Sequence, residues 1–246
     1  MSGRFLQERE LRPELMDDEA AGGPALVQAH RHLRRLNRLF AAARPSLYGV
    51  EKLWLAAGRP RALTVTDIGC GSGDVNRRLL RWAEKRNVVL RLILTDVAEE
   101  ACAEARRLFA GVARVDVRQC DVFELPQDSS DIVTASQMLH HFGSGSLVAA
   151  VERMLQASRL GVVIADIHRH PVAWSAVWLV TRLSPNRYIR HDGPLSVAKG
   201  FRAADWDDLR DRLNEQLGGE LELEYRWMPL FRYAVTLRPN RRKLDD

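Results

Sequence analysis

The stretch Val65-Thr-Asp-Ile-Gly-Cys-Gly-Ser-Gly-Asp74 decides the fold, because a β-rich run here ends in three closely spaced glycines. A strand, a glycine-rich turn and a helix in succession are typical of nucleotide-binding folds. A dinucleotide fingerprint would place its third glycine at position 74, and a phosphate loop would end in Lys and Ser or Thr. Asp74 would also repel a pyrophosphate at the helix N-terminus, where anions normally bind. The loop therefore favours a ligand with a cationic centre and no phosphate.

Outward from this loop, short apolar runs alternate with helical segments, which is the pattern of a parallel sheet covered on both faces. We expect five such strands, at residues 62–68, 88–95, 112–118, 132–136 and 160–167. Two further strands, at residues 220–227 and 231–237, are close enough to form a hairpin. The prediction is an α/β fold with a doubly wound, mostly parallel, Rossmann-like sheet of seven strands that ends in an antiparallel edge hairpin.

Helical and irregular segments flank these strands. Residues 1–60 are predicted to be an N-terminal helical cap, with two helices between residues 25 and 57 that Pro45 separates. Residues 61–246 are predicted to be the core. Within the core, the irregular segment at about 168–201 is long for a connection, and such loops are usually functional lids. We expect this lid insert and the N-terminal helices to roof a pocket.

The glycine loop and the acids that end the next two predicted strands resemble the class I S-adenosylmethionine-dependent methyltransferases over about residues 62–167. The resemblance implies S-adenosylmethionine as the cofactor, with its methionine part against the loop, where glycines let the backbone approach closely. The expected cofactor-binding residues are Asp67, Gly69, Cys70, Gly71, Gly73, Asp96, Val97, Asp121, Val122 and Ser136.

Two acids at strand ends carry most of this resemblance. It implies that Asp96 binds both ribose hydroxyls, since a carboxylate can accept two hydrogen bonds from a cis diol, and that Val97 touches the adenine. It also implies that Asp121 takes the adenine amino group while Val122 packs on the ring. Taken singly, an Asp at a strand end is often a helix cap or turn residue. The joint placement of these acids after successive strands favours the cofactor.

Histidines follow the fourth and fifth predicted strands, at the rim where open α/β sheets bind their ligands. Imidazole titrates near neutrality and can take a proton from a phenol or hydroxyl during methyl transfer. His140 and His141 are the first candidates for the catalytic base, and only one of these neighbours is expected to face the pocket; His168 comes next. A phenol that is already partly ionised would need no base. No metal is predicted, because no acid or cysteine cluster supports His168 and His170 as ligands.

The charge distribution leaves a second function open. The net charge is +5, and residues 31–61 hold eight Lys and Arg against one acid, while residues 225–244 hold six against none. Such clusters can meet nucleic acid, so an RNA or DNA methyltransferase, or a nucleic-acid-binding protein of this fold, is the alternative. No aromatic target-base motif such as N/D-P-P-Y/F follows the fourth strand, where Ser-Gln-Met-Leu stands at 136–139. Nucleic acid is therefore the less favoured partner.

Cysteine usage and hydropathy point to a cytoplasmic protein. Its three cysteines form no CxxC pair, which favours a reducing compartment. The longest apolar stretch, residues 172–180, is far shorter than the ~20 residues that span a bilayer. We therefore expect at most peripheral contact with a membrane.

The expected acceptor is a small molecule with an aromatic or lipid-tailed body, because Trp174 and Trp178 give the insert an apolar face. Over the whole chain, the sequence resembles small bacterial methyltransferases of the ubiquinone/menaquinone type. Within them it resembles a group associated with type III polyketide synthases, through its ELMDD start, the LRRLNRLF stretch and the RHDGPLSV segment. The resemblance implies a lipophilic phenolic, polyketide or quinone-like acceptor, and we expect O-methylation in small-molecule biosynthesis. The acceptor's identity and the oligomeric state are not indicated.

Overall fold

The computed structural model describes residues 6–17, 28, 42–218 and 221–239, and seven strands in this part of the chain form one sheet. The strands are β1 (Ala62–Ile68), β2 (Val89–Asp96), β3 (Val115–Gln119), β4 (Ser130–Ser136), β5 (Ser158–Ile167), β6 (Leu221–Met228) and β7 (Arg232–Pro239). Their order is β3-β2-β1-β4-β5-β7-β6. The first five are parallel, and β7 lies antiparallel between β5 and β6. The predicted seven-stranded sheet with an antiparallel edge hairpin is confirmed.

Helices cover both faces of this sheet. They are α1 (Ala43–Ala56), α2 (Asn76–Arg86), α3 (Glu99–Leu108), α4 (Ser144–Ala157), α5 (Pro171–Arg182), α6 (Arg187–Lys199) and α7 (Ala203–Leu217). Neighbouring residues of a strand point to opposite faces. Ile164 therefore packs in the core with α4 and α7, while Val163 packs in a second core with α1, α2 and α3. None of the described helices is long and apolar enough to cross a membrane.

The strand order reverses between β1 and β4, and this reversal positions the site. The two strands pair in parallel, with Ile68 opposite Ala135. The chain leaves them toward opposite sides, and ligands of open α/β sheets bind in the resulting crevice at the carboxyl ends of the strands. The glycine loop after β1 and the turn after β4 therefore lie side by side.

The insert differs from the irregular lid that the sequence suggested, because α5 and α6 form a helical hairpin. Each helix begins at a side-chain cap. The ring of His170 accepts a hydrogen bond from the Val172 backbone N–H at 3.1 Å, and Asn186 caps α6 through the Tyr188 N–H at 3.0 Å. Caps of this kind satisfy backbone donors that a helix start leaves unpaired. The insert is therefore an ordered wall of two helices.

The N-terminal region is described only in part, so the predicted helical cap stays a prediction. Residues 6–17 contain no α-helix, only a short 3₁₀ turn at Leu15–Asp17. The helix α1 begins at Ala43, and Pro45 lies in its first turn, where a missing N–H costs no hydrogen bond. Because α1 packs directly on the sheet, it belongs to the core. The predicted helix from about residue 25 and most of the arginines at 31–44 lie outside the described residues.

Candidate active site

A cavity of about 380 Å³ lies at the carboxyl ends of β1 and β4. Six parts of the chain line it: the N-terminal segment, the glycine loop, the turn after β4, the end of β5, the insert and the start of β7. The predicted site residues that reach it are Gly69, Cys70, Gly71, Ser136, His140 and His141. The predicted site residues that do not line it are Asp67, Gly73, Asp96, Val97, Asp121, Val122 and His168.

The three glycines of the loop are needed for different reasons. A Cβ at Gly69 would lie 2.5 Å from Met138 Cγ, and one at Gly73 would lie 2.8 Å from Leu94 Cδ1. These two glycines therefore allow close packing behind the loop. Gly71 also has a positive φ, of +54°, but no atom would lie within 4 Å of its Cβ. Gly71 is thus the glycine whose missing side chain leaves room at the cavity itself.

Asp67 lies behind the loop, which corrects the expectation that its carboxylate contacts the ligand. Its two oxygens accept hydrogen bonds from Thr134 Oγ1 and Asn76 Nδ2, each at 2.6 Å. Burial raises the pKa of Asp67 to about 6, although these two hydrogen bonds lower it. The carboxylate therefore ties β1 to β4 and to α2, and it positions the loop without reaching the cavity.

Asp96 anchors the same loop from β2. Its Oδ2 accepts a hydrogen bond from the Gly71 N–H at 2.8 Å, and its Oδ1 accepts one from the Ala98 N–H at 3.0 Å. Each carboxylate oxygen keeps a further acceptor site, so the group can still receive a diol. Asp96 therefore caps the turn that follows β2, as strand-end acids often do, and it also lies beside the glycine loop.

The surface beyond Asp96 carries exposed apolar side chains, but Val122 is not one of them. Val122 is 4% exposed and belongs to the core, whereas Val97 is 61% and Phe123 is 46% exposed. Asp121 accepts from the Phe123 N–H at 3.0 Å and caps a short 3₁₀ turn. The expected packing of Val122 on a ring is therefore corrected, because Phe123 holds the exposed position next to Asp121.

Both neighbouring histidines line the cavity, contrary to the expectation that only one would. They lie in a 3₁₀ turn, Leu139–His141, directly after β4, and their ring centroids are 4.4 Å apart. The Nε2 atoms of His140 and His141 lie 3.6 Å and 4.0 Å from the same oxygen of Glu14. A shared carboxylate thus draws two adjacent side chains to one side of the turn.

His140 is held between two buried carboxylates. Its Nδ1 lies 2.8 Å from Asp166 Oδ1, and Glu14 faces its Nε2. Burial by itself lowers the pKa of His140, but the charges of Asp166 and Glu14 and their hydrogen bonds outweigh burial and raise it to about 9. Burial likewise opposes ionisation of both acids, yet His140 holds the pKa of each below its ordinary value. At neutral pH the three groups are an imidazolium and two carboxylates.

The N-terminal segment, residues 6–17, brings Glu14 to this place. Arg9 donates from Nη2 to the carbonyl oxygens of His140 and Phe142 at 3.1 and 3.0 Å, and from Nε to that of Lys199 at 3.0 Å. The carboxylate of Asp192, in α6, accepts hydrogen bonds from the backbone N–H groups of residues 15 and 16 at 2.9 and 3.0 Å. The segment therefore crosses from the turn after β4 to the insert and closes one side of the cavity.

His168 is not at the cavity, which corrects its place among the candidate bases. Its Nδ1 accepts a hydrogen bond from Trp227 Nε1 at 3.2 Å, and its ring packs against His170, Phe231 and Tyr233. Burial and neighbouring cations lower the pKa of His168 to about 4. It is a neutral, structural histidine at pH 7.

One group of side chains in the described part of the chain has the composition of a metal site. The ligand atoms of Glu14, His140 and His141 lie within 4.8 Å of one another. Lys199 Nζ, however, lies 3.6 Å from the same Glu14 oxygen, and a protonated His140 offers no lone pair at Nε2. The positive charges already around Glu14 oppose a further cation.

Comparisons with known proteins concern the family and the fold of the chain. A family model described as a methyltransferase domain matches residues 65–161. This part of the chain is therefore similar in sequence to methyltransferase domains. It runs from the strand before the glycine loop into β5, so it contains the loop, Asp96, Asp121 and the histidine pair. No curated protein matches the sequence.

Solved structures of methyltransferases share the fold of this chain. The plantazolicin methyltransferase BpumL, solved with SAH, is 13% identical with a TM-score of 0.67, and the match covers 89% of this chain and 92% of BpumL. Human N-acetylserotonin methyltransferase, solved with SAM, is 14% identical with a TM-score of 0.60 over 87% of this chain. The citrinin polyketide synthase CMeT domain is 15% identical with a TM-score of 0.53 over 72% of this chain.

The chain spans about half the length of the last two structures, 55% and 46% respectively. At these identities the likeness establishes the fold, and the resemblance to class I methyltransferases is confirmed. The narrower resemblance to the ubiquinone/menaquinone type and to the group associated with type III polyketide synthases stays a prediction.

Three important site residues were missed by sequence reasoning. Asp166 gave a usable signal, since an acid within the apolar run of β5 must find a partner when buried. Glu14 begins the ELMDD stretch that carries part of the resemblance, but nothing in the sequence placed it at the cavity. Arg232 gave no signal, because only the fold brings it there.

Thr134 provides a test of the buried Asp67 carboxylate. Replacing Thr134 with Val removes one hydrogen bond and is expected to lower the free energy of unfolding by about 1–3 kcal/mol at pH 7. Because the folded pKa of Asp67 is raised, its favourable contribution is complete below pH 3.8 and is lost as the pH rises through about 6. At pH 4 the carboxyl is protonated in the folded protein and accepts a weaker hydrogen bond from Thr134, so the loss in the variant should be smaller there. Urea unfolding measures the free energy at both pH values, and Thr134→Ser is the control that keeps the hydroxyl. Equal losses at pH 4 and pH 7 would contradict the hydrogen bond from Thr134 to an ionised Asp67.

The imidazolium of His140 makes a separate prediction about stability. The pKa of His140 is raised from 6.5 to about 9 in the folded protein. The contribution of His140 to the free energy of unfolding is therefore complete below pH 6.5 and is lost as the pH rises through 9. We expect the wild type to lose on the order of 1–3 kcal/mol over this window. In His140→Gln this pH dependence should be absent. Unfolding curves at pH 6, 7.5 and 9 compare the two proteins, and parallel pH profiles would show that His140 is not charged.

Proposed function

We propose that this protein is an S-adenosylmethionine-dependent methyltransferase that methylates an oxygen atom of a lipophilic small molecule. One observation carries the proposal: a single cavity joins the open side of Gly71 to the histidine pair and to the apolar wall of the insert. The methyltransferase domain and the SAM or SAH in two similar structures support the cofactor.

The loop and the strand ends suit each part of S-adenosylmethionine. Asp74 places a carboxylate at the cavity, where it complements a cationic ligand. Asp96 lies next to Gly71 with acceptor capacity for the ribose hydroxyls. Val97 and Phe123 offer exposed apolar surface for an adenine ring, with Asp121 beside them. The bound cofactor supplies an activated methyl group.

The far part of the cavity suits an apolar acceptor. Its wall includes Ile167, Ala173, Val177 and Val197, which pack as one cluster with Phe231. Burial of such surface contributes roughly 25 cal/mol per Å² of apolar area. This wall supports an aromatic or alkyl body of the phenolic, polyketide or quinone-like kind.

In the proposed mechanism, the chain orients the acceptor oxygen and removes its proton. Holding the two reactants in line is the larger contribution, because proximity replaces an encounter in solution. His141 takes the proton as the acceptor oxygen gains the methyl group. Its side chain is 30% exposed, so the proton can pass to water. The charge of His140 favours an acceptor oxygen that has become negative.

Two measurements test the proposed function. Calorimetry with SAH reports whether the cofactor site exists, and incubation with SAM and a panel of alkylated phenols should give products heavier by one CH₂ group. Absence of SAH binding would refute the proposal. Salt-dependent retention of RNA or DNA together with methylation of nucleic acid would favour the alternative partner instead.

Gly71→Val should abolish cofactor binding, because the new side chain would enter the space at the loop. Gly111→Val is a matched control, since Gly111 also has a positive φ and open space but lies away from the cavity. We expect the SAH affinity of Gly71→Val to fall by at least about 100-fold, roughly 2.7 kcal/mol, with similar unfolding free energies in both variants. Normal affinity in folded Gly71→Val would mean that the loop does not hold the cofactor.

His141→Ala should lower turnover by roughly 10²–10⁴ while SAH affinity is unchanged. The decrease of wild-type turnover on the acid side of the pH profile should disappear in this variant, because a protonated imidazole accepts no proton. His168→Ala is the control, since that ring lies outside the cavity, and its turnover should stay near that of the wild type. If His141→Ala keeps the wild-type rate and pH profile, the enzyme works by orientation alone.

A further inference from the structure

Arg232, the first residue of β7, brings to the cavity a cation that forms no close ion pair with a carboxylate of the described residues. Its Nη1 donates to Gln137 Oε1 at 2.7 Å, while its Nε is buried and has no hydrogen-bond partner. Two other arginines near the ends of the sheet do pair with acids: Arg169 with Asp205, and Arg238 with Glu222. Buried charges are normally paired, so the free side of Arg232 calls for an anionic partner from outside the chain.

A second polar atom, in a residue that lines the cavity, is also unsatisfied. The hydroxyl of Ser136, at the end of β4, is buried without a hydrogen-bond partner. The next residue is Gln137, which receives the Arg232 hydrogen bond and adopts a left-handed φ of +54°. Strained backbone of this kind is concentrated at functional sites. Ser136 and Arg232, with Gln137 between them, therefore each keep hydrogen-bonding capacity that the described residues do not use.

The position of Arg232 favours the acceptor side of the cavity. In the sheet it is paired with Ile167, and its chain neighbour is Phe231. Both of these residues belong to the apolar cluster that forms the acceptor wall. The glycine loop, by contrast, presents the carboxylate of Asp74.

We propose that Arg232 and Ser136 form an oxyanion subsite that binds a carboxylate of the acceptor, so that the acceptor is an apolar hydroxy acid. This inference rests on the proposed methyltransferase function. The subsite would hold one end of the acceptor by charge-assisted hydrogen bonds, while the apolar wall holds its body. Burial lowers the pKa of Arg232 to about 10, although the charge of Asp166 opposes this shift. The guanidinium therefore remains charged at neutral pH.

The test compares acids with their esters. Alkylated hydroxybenzoic acids and the corresponding methyl esters are offered to the wild type, Arg232→Met, Arg232→Lys and Ser136→Ala. We expect the wild type to prefer the acids, and Arg232→Met to lower kcat/KM for the acids about 10- to 100-fold, mainly through KM. The esters should be affected little. Arg232→Lys should restore part of the preference, and Ser136→Ala should weaken it by a smaller factor.

Two controls separate this subsite from the cofactor and from stability. Arg238→Met changes another arginine of β7, one that pairs with Glu222 away from the cavity, and it should leave the preference intact. Calorimetry with SAH should give the same affinity in Arg232→Met as in the wild type. A loss of SAH affinity would mean that Arg232 serves the cofactor, and equal losses for acids and esters would mean a general structural role. Either result overturns the proposal.

Direct binding keeps the subsite testable if turnover is slow. With SAH present, the acids should bind the wild type more tightly than their esters, and this difference should vanish in Arg232→Met. A wild type that binds SAH but shows no preference for the acids would refute the subsite while leaving the methyltransferase function standing. A wild type that does not bind SAH would refute the proposed function itself.

Discussion

The charged contact of His140 with Asp166 and Glu14 is the interaction on which the candidate site depends. It joins three elements that are far apart in the chain: the end of β5, the turn after β4 and the N-terminal segment. Removing one member of a buried ion pair costs about 3–5 kcal/mol, because the remaining charge is left without a partner. The three groups therefore fix one another, and with them the shape of the cavity.

This contact is supported from outside by further polar groups. Ser196 Oγ donates to Glu14 Oε1 at 2.9 Å, and Lys199 Nζ lies 3.6 Å from the same oxygen. Both residues belong to α6, so the insert and the N-terminal segment meet at Glu14. The arrangement explains how a short segment without an α-helix can form an ordered wall of a cavity.

A second set of contacts serves the glycine loop. Asp67 fixes the loop from behind through Thr134 and Asn76, and Asp96 fixes it from β2 through the Gly71 N–H. The loop is thus held in place before any ligand arrives, which reduces the ordering that binding requires. On the other side of the cavity, Arg232 and Ser136 have polar atoms that the chain leaves unsatisfied. The protein therefore combines a preformed loop with polar side chains whose hydrogen-bonding capacity the described residues do not fully use.

The sequence by itself determined the fold, because its evidence is local. Apolar runs, glycines at 69, 71 and 73, and acids at strand ends are each set by neighbouring residues, and together they specify a parallel sheet with a ligand at its rim. Which side chains meet in the cavity was decided by the tertiary structure. Val122 lies in the core and Phe123 on the surface, and His168 packs among aromatic rings while His140 and His141 face one carboxylate. Glu14, Asp166 and Arg232 come together only when β5, β7 and the N-terminal segment are placed side by side. The physical reason is that charge pairing and burial depend on distances between residues far apart in the chain, which local sequence patterns do not record.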